Sequence, residues 1–160
     1  MTQKDKIKID SFKVDKMRQN DIKDVLKLAI AGQSSFGITD KKAPSLFFQE
    51  VNSLIENNMN YSFVFKNDLN KVFAAFIIKP QTNISAELAL VVSDPKIIQT
   101  QEMYESFLNC MKSMRFKMFL VKAYKRRKRF EVYVKFLNRL GFNEITADDE
   151  DFLTLCLKKS

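Results

Sequence analysis

Five consecutive cations, Lys125-Arg126-Arg127-Lys128-Arg129, stand where a β-like run passes into an amphipathic helix. Guanidinium and ammonium groups at that density bind phosphates and carboxylates. The run belongs to a wider field, since positions 112–129 carry nine Lys and Arg residues and no Asp or Glu. Much of the formal net charge of +8 is therefore concentrated in one region. A local positive potential favours nucleic acid, a phosphorylated cofactor, an acidic protein or anionic lipid, without choosing among them. Tyr124 and Phe130 flank the run, but they fit equally well as the end of a strand and the start of a helix stripe. Base stacking is therefore not indicated.

The chain contains no histidine, which excludes Ser-His-Asp nucleophilic triads, imidazole general bases and the common zinc sites. Cys110 and Cys156 stand singly in apolar contexts without metal-ligand spacing. They are expected as buried free thiols, and no metal is expected. Glu87 interrupts an otherwise apolar strand, where a charge at a strand end in water is the plainest reading.

The elements that must position these groups follow from hydrophobic period. At 160 residues, 46% apolar and with 15 Phe, the chain supports one well-buried core. Residues 1–10 read as a solvated tail and 11–160 as a single domain. A strand at Phe12–Met17 leads to a helix capped by Asn20 with Ile22, Val25, Leu26, Ala29 and Ile30 on one face. A loop over Ala31–Ala43 precedes a second helix from Pro44 to about Asn57-Asn58, with the stripe Phe47, Phe48, Val51, Leu54 and Ile55. Tyr61–Lys66 and Val72–Ile78 make a hairpin stopped by Pro80, and Ala86–Val92 is a third, almost wholly apolar strand. A helix carrying Met103 to Met114 and a strand at Phe116–Val121 complete a β-α-β unit. The last helix spans roughly Arg127–Leu140 and is stopped by Gly141, and Phe142–Thr146 and Phe152–Leu157 form a closing hairpin. The N-terminus has neither an apolar signal core nor a transit pattern, and no run approaches a membrane span. A soluble, reducing, intracellular and cytoplasmic setting is expected.

This order of elements, together with Lys135-Phe136-Leu137-Asn138-Arg139-Leu140-Gly141-Phe142, resembles the GNAT superfamily of acyl-CoA-dependent N-acyltransferases. Val14–Leu28 is similar to the family's opening strand and helix, and Asp151–Lys158 to its closing strand. The resemblance covers Phe12–Lys158. It implies an α+β fold with a mixed, mostly antiparallel, splayed sheet and helices on both faces. It also implies acetyl-CoA in the cleft between the strands at Ala86–Val92 and Phe116–Val121, its pantetheine paired to the backbone of Leu90, Val91 and Val92. The family's pyrophosphate loop falls on Asp94–Glu102, so Gln99, Thr100 and Gln101 would meet the phosphates. That segment lacks the glycines of the family's R/Q-x-x-G-x-G/A pattern.

By the same resemblance Glu87 is the general base and a helix tyrosine the general acid. The family's usual tyrosine position is Leu137 here. Tyr133, one turn earlier, is the candidate substitute, although its register also suits the core stripe. The cation run has three readings: a solvated face, a docking surface for nucleic acid or an acidic protein through positions 122–129, or a replacement phosphate grip for CoA. Two functions follow. One is an N-acetyltransferase with a divergent cofactor loop. The other is a catalytically inactive binding subunit that holds no cofactor.

Overall fold

A computed structural model describes the backbone of residues 6–31 and 43–159, and the side chains of those residues apart from 43–47. The expected loop after Ala31, Phe47 and the first residues of the tail lie outside this range. In chain order the elements are β1 (Lys13–Lys16), α1 (Ile22–Ala31), α2 (Ala43–Asn58), β2 (Phe63–Lys66), β3 (Val72–Pro80), β4 (Ser85–Ser93), α3 (Gln101–Ser113), β5 (Met118–Tyr124), α4 (Phe130–Arg139), β6 (Glu144–Asp148) and β7 (Phe152–Lys158). Among the described residues no helix is long and apolar enough to cross a membrane.

The strands form one seven-stranded sheet in the order β1-β2-β3-β4-β5-β7-β6, antiparallel except for the β4–β5 pair. Its two faces carry separate cores. Val25, Leu26 and Ala29 of α1 and Val51 and Ile55 of α2 pack on Val64, Ile77, Leu90 and Val92. On the other face Met103, Phe107 and Met111 of α3 and Leu137 and Leu140 of α4 pack on Phe63, Phe76, Leu88 and Phe119. This is the α+β architecture expected, with helices on both faces of a mostly antiparallel sheet.

Several boundaries differ from the sequence reading. A 3-10 turn at Gln19–Asp21 precedes α1, and Asp21 rather than Asn20 does the capping, accepting the Arg18 amide at 3.0 Å. Asp21 is also buried against Lys66, with Nζ to Oδ1 at 3.0 Å, so one carboxylate satisfies two otherwise costly groups. Pro80 does stop β3, as its last residue and two beyond the expected end at Ile78; it lies opposite Ala86, where the missing N–H breaks only the end of the ladder. β5 extends three residues past Val121 because β7 pairs with it as far as Tyr124↔Phe152. α4 starts at Phe130, so the cations form a turn before it. Cys156 is buried as expected but Cys110 only half-buried, while Phe48 and Ile30 are exposed.

Gly141 ends α4 in a Schellman motif, with Phe142 N–H bonded to the Leu137 carbonyl and Gly141 N–H to that of Asn138, both at 3.0 Å. Its φ is 107°, and a Cβ there would lie 2.5 Å from Leu157 Cδ1. This pins the C-terminal end of α4 to β7. Gly141→Ala is expected to lower unfolding stability by about 2–4 kcal/mol, combining backbone strain with overpacking. Urea denaturation checks this, and a loss under roughly 0.5 kcal/mol would show that the helix end relaxes freely.

Candidate functional site

β4 and β5 pair in parallel only at Ser85↔Met118, Ala86↔Phe119 and Glu87↔Leu120. Beyond Glu87 the strands part, and among the described residues no strand pairs with the β5-facing edge of β4 from Leu88 to Ser93. Such an edge presents backbone donors and acceptors to whatever enters the gap. On the β3 side the register skips Ala89, since Ile78 opposes Leu88 and Ile77 opposes Leu90. This bulge inverts the alternation of β4. Ala86 and Leu88 face α3 and α4, then Val91 does, while Leu90 and Val92 turn to α1 and α2.

An open cleft of about 590 Å³ lies between the end of β4, the loop after it and the outer face of α4. Its β4 side is built from Val91, Ser93, Asp94, Ile97, Ile98 and Gln99. Facing them are Arg127, Lys128 and Arg129 of the turn and Val132, Tyr133, Phe136 and Arg139 of α4, with Lys6 at the rim. Ile97, Ile98 and Gln99 form a wall and do not fill the space.

The cation run is thus divided. Lys125 pairs with Asp148 and with the Asp149 carbonyl, and its amide bonds the Asp151 carbonyl at 2.8 Å. Arg126 reaches Asp151 at 3.9 Å, an exposed pair of small energetic weight. These two residues fasten the turn to the β6–β7 hairpin. Arg127, Lys128 and Arg129 line the cleft instead. Arg129 adopts φ 59° and ψ 40° as the N-cap of α4, an uncommon conformation for a non-glycine residue, and makes no side-chain cap.

The loop between β4 and α3 is internally bonded. Lys96 N–H donates to Asp94 Oδ1 at 2.9 Å, and Ile97 N–H to the Asp94 carbonyl at 3.1 Å. Ile98 N–H donates to the Ile7 carbonyl at 2.9 Å, while Ile7 N–H bonds the Lys96 carbonyl at 2.7 Å. Gln99 accepts from the Tyr104 hydroxyl at 2.7 Å. Thr100 caps α3 by accepting the Met103 amide. Gln101, exposed, begins the helix and does not line the cleft.

Glu87 is half-buried at the last β4–β5 pair, opposite Lys79, and accepts from Gln81 at 3.4 Å. Strand alternation directs it to the α1–α2 face. Tyr133 lies across the sheet on α4, with the Arg127 guanidinium 3.5 Å from its ring centroid. Burial pushes the Tyr133 phenol up, and the Arg127 charge and hydrogen bond pull it partly back. Tyr104 behaves likewise, raised by burial and drawn down by Arg139, whose guanidinium sits 4.2 Å from the ring centroid.

The sequence reading missed Arg139 and Lys6. Arg139 had a signal, because 129, 132, 136 and 139 fall on one helical face. Lys6 had none, as its place depends on Ile7 joining the loop.

No protein-family model and no curated protein sequence matches the chain. Several similar solved structures are described as acetyltransferases. The PaiA N-acetyltransferase of Thermoplasma acidophilum in complex with coenzyme A superposes with a TM-score of 0.72 at 15% identity, covering 93% of this chain and 99% of its own. A GNAT-family acetyltransferase of Listeria monocytogenes gives 0.66 at 13% identity, covering 92% and 95%. A chain of the NatC complex bound to Gag peptide and CoA gives 0.63 at 8% identity, covering 94% and 99%. The chain therefore has the GNAT fold.

Replacing Arg127 by Met keeps bulk over the ring and removes the charge that draws the Tyr133 phenol down. Ultraviolet pH titration of the variant is expected to show one tyrosine ionising at higher pH than in wild type. An unchanged or lower transition would uncouple the pair.

Proposed function

We propose that the protein is an acyl-CoA-dependent N-acetyltransferase in which acetyl-CoA lies along the unpaired edge of β4. The observation that supports this reading is the parting of β4 from β5 after Glu87 beside an open, cation-lined cleft. Backbone groups of Leu90, Val91 and Val92 on that edge would pair with the amides of pantetheine, as a further strand would. The thioester would then reach the gap where the strands separate.

Glu87 stands at that gap on the α1–α2 face, from which an acceptor amine can approach. In the proposed reaction Glu87 takes a proton from the ammonium, and the free amine attacks the thioester carbonyl. A C–N bond forms, the C–S bond breaks, the departing thiolate takes a proton from Tyr133, and the proton lost by the acylated nitrogen returns to the tyrosinate through solvent. A phenol raised by burial stays protonated throughout the neutral range, as a proton donor must.

Titration calorimetry with acetyl-CoA tests the reading. A micromolar dissociation constant is expected, and no heat at millimolar ligand would overturn it. That null result would leave the inactive alternative, a subunit docking nucleic acid or an acidic protein through its basic face. In a thiol-release assay with a panel of primary amines, Glu87→Gln and Tyr133→Phe should each lower kcat about 100-fold or more, the usual scale for loss of a positioned acid or base. Wild-type turnover in both variants would remove these residues from the mechanism.

A further inference from the structure

We propose that the phosphates of CoA are gripped from the α4 side of the cleft, by Lys128, Arg129 and Arg139 with Arg127, and not by the loop that opens α3. The proposal rests on the acetyl-CoA reading above and specifies how that ligand is held.

Two sets of observations carry it. The first is that the middle of the loop, Lys96 to Ile98, has no amide left for a phosphate. The amides of Lys96, Ile97 and Ile98 are already bonded, to Asp94 Oδ1, the Asp94 carbonyl and the Ile7 carbonyl. The Gln99 side chain is engaged by Tyr104, and the Thr100 hydroxyl by the first turn of α3. The segment has no glycine to let a phosphate approach its backbone, and its side chains crowd that wall. Asp94, the one carboxylate among the described residues that line the cleft, is on this wall too.

The second is that the opposite wall is strongly cationic. Arg127, Lys128, Arg129 and Arg139 face the cleft, and the acids of the first helical turns, Glu102 and Glu131, do not line it. Lys128 and Arg129 make none of the hairpin contacts that occupy Lys125 and Arg126. The conformation of Arg129 is the kind of local strain that persists where surrounding structure requires a side chain in one place. CoA carries a pyrophosphate and a 3′-phosphate, and charge-assisted hydrogen bonds from guanidinium and ammonium suit both. A pantetheine arm on β4 leaves its phosphate end between these two walls, and only one of them attracts it.

The test is acetyl-CoA titration calorimetry at several salt concentrations on wild type, Lys128→Ala/Arg129→Ala, and Lys112→Ala/Lys117→Ala as a charge-matched control outside the cleft. The cleft double variant should bind roughly 30-fold more weakly and show a shallower dependence of affinity on salt, because fewer ionic contacts remain to be screened. The control should stay within about twofold of wild type. A cleft variant that binds like wild type would overturn the α4 grip while leaving the acetyltransferase reading intact. So would a weaker affinity with an unchanged salt dependence, which indicates altered shape and not lost charge contacts. If wild type binds a short single-stranded RNA and not acetyl-CoA, both the grip and the reading on which it rests fall.

Discussion

The parallel contact between β4 and β5 lasts three residues, and the site depends on its brevity. A longer ladder would close the β4 edge and leave no gap, and no contact would leave the two halves of the sheet without a common frame. What holds β5 in place is its other neighbour. β7 pairs with all seven residues of β5, from Met118↔Lys158 to Tyr124↔Phe152, so β5 can diverge from β4 without losing its order. The bulge at Ala89 then re-aims β4 where it stands alone, turning Val91 to the cleft and Leu90 and Val92 to the α1–α2 core. Strand parting and bulge fall within two residues of each other, and together they separate a buried half of β4 from an available one.

The basic turn shows how a locally unfavourable arrangement is kept. Cations at the N-terminal end of α4 oppose its macrodipole, at a cost of a few tenths of a kcal/mol or more per exposed charge. Lys125 and Arg126 recover some of this through Asp148 and Asp151 on the β6–β7 hairpin, which also fixes where the turn points. Arg127 stacks on Tyr133 and brings α4 against the turn. Lys128 and Arg129 have no such structural use, and their presence runs against local preference. That Lys128 and Arg129, the cations of the run without a hairpin acid or an aromatic ring, both line the cleft is the pattern expected of a functional site.

Much of this was legible in the sequence because it is periodic. The 3.6-residue stripes of α1, α3 and α4, the apolar run of β4 and the Gly141-Phe142 ending gave the elements and their order, and that order carries the fold. What stayed hidden depends on residues far apart in sequence. Nothing near Ile7 or Ile97 signals that their backbones meet, yet that contact takes up the Ile98 amide and brings Lys6 to the cleft. The buried Lys66–Asp21 pair was equally silent, since each residue alone reads as solvated. The cation run was seen but not its division, because five adjacent charges look uniform until the hairpin acids are placed in space.

The two faces of the sheet also constrain any reaction at the gap. Glu87 belongs to the α1–α2 face and Tyr133 to α4 on the other, so groups with these roles could meet only through the opening between β4 and β5. A ligand lying along the β4 edge would occupy that opening and present its ends to different faces. Its reactive carbonyl would then be reached by amine from one side while the leaving sulfur stays on the other. In such an arrangement the width of the gap, set by where the three-residue ladder stops, governs the approach of base and acid together. A one-residue slip of β4 against β3 would reverse the face Glu87 presents, because strand alternation has a period of two. Which face Glu87 presents at the opening thus rests on the register of β4 against β3, and the opening itself on where β4 and β5 part.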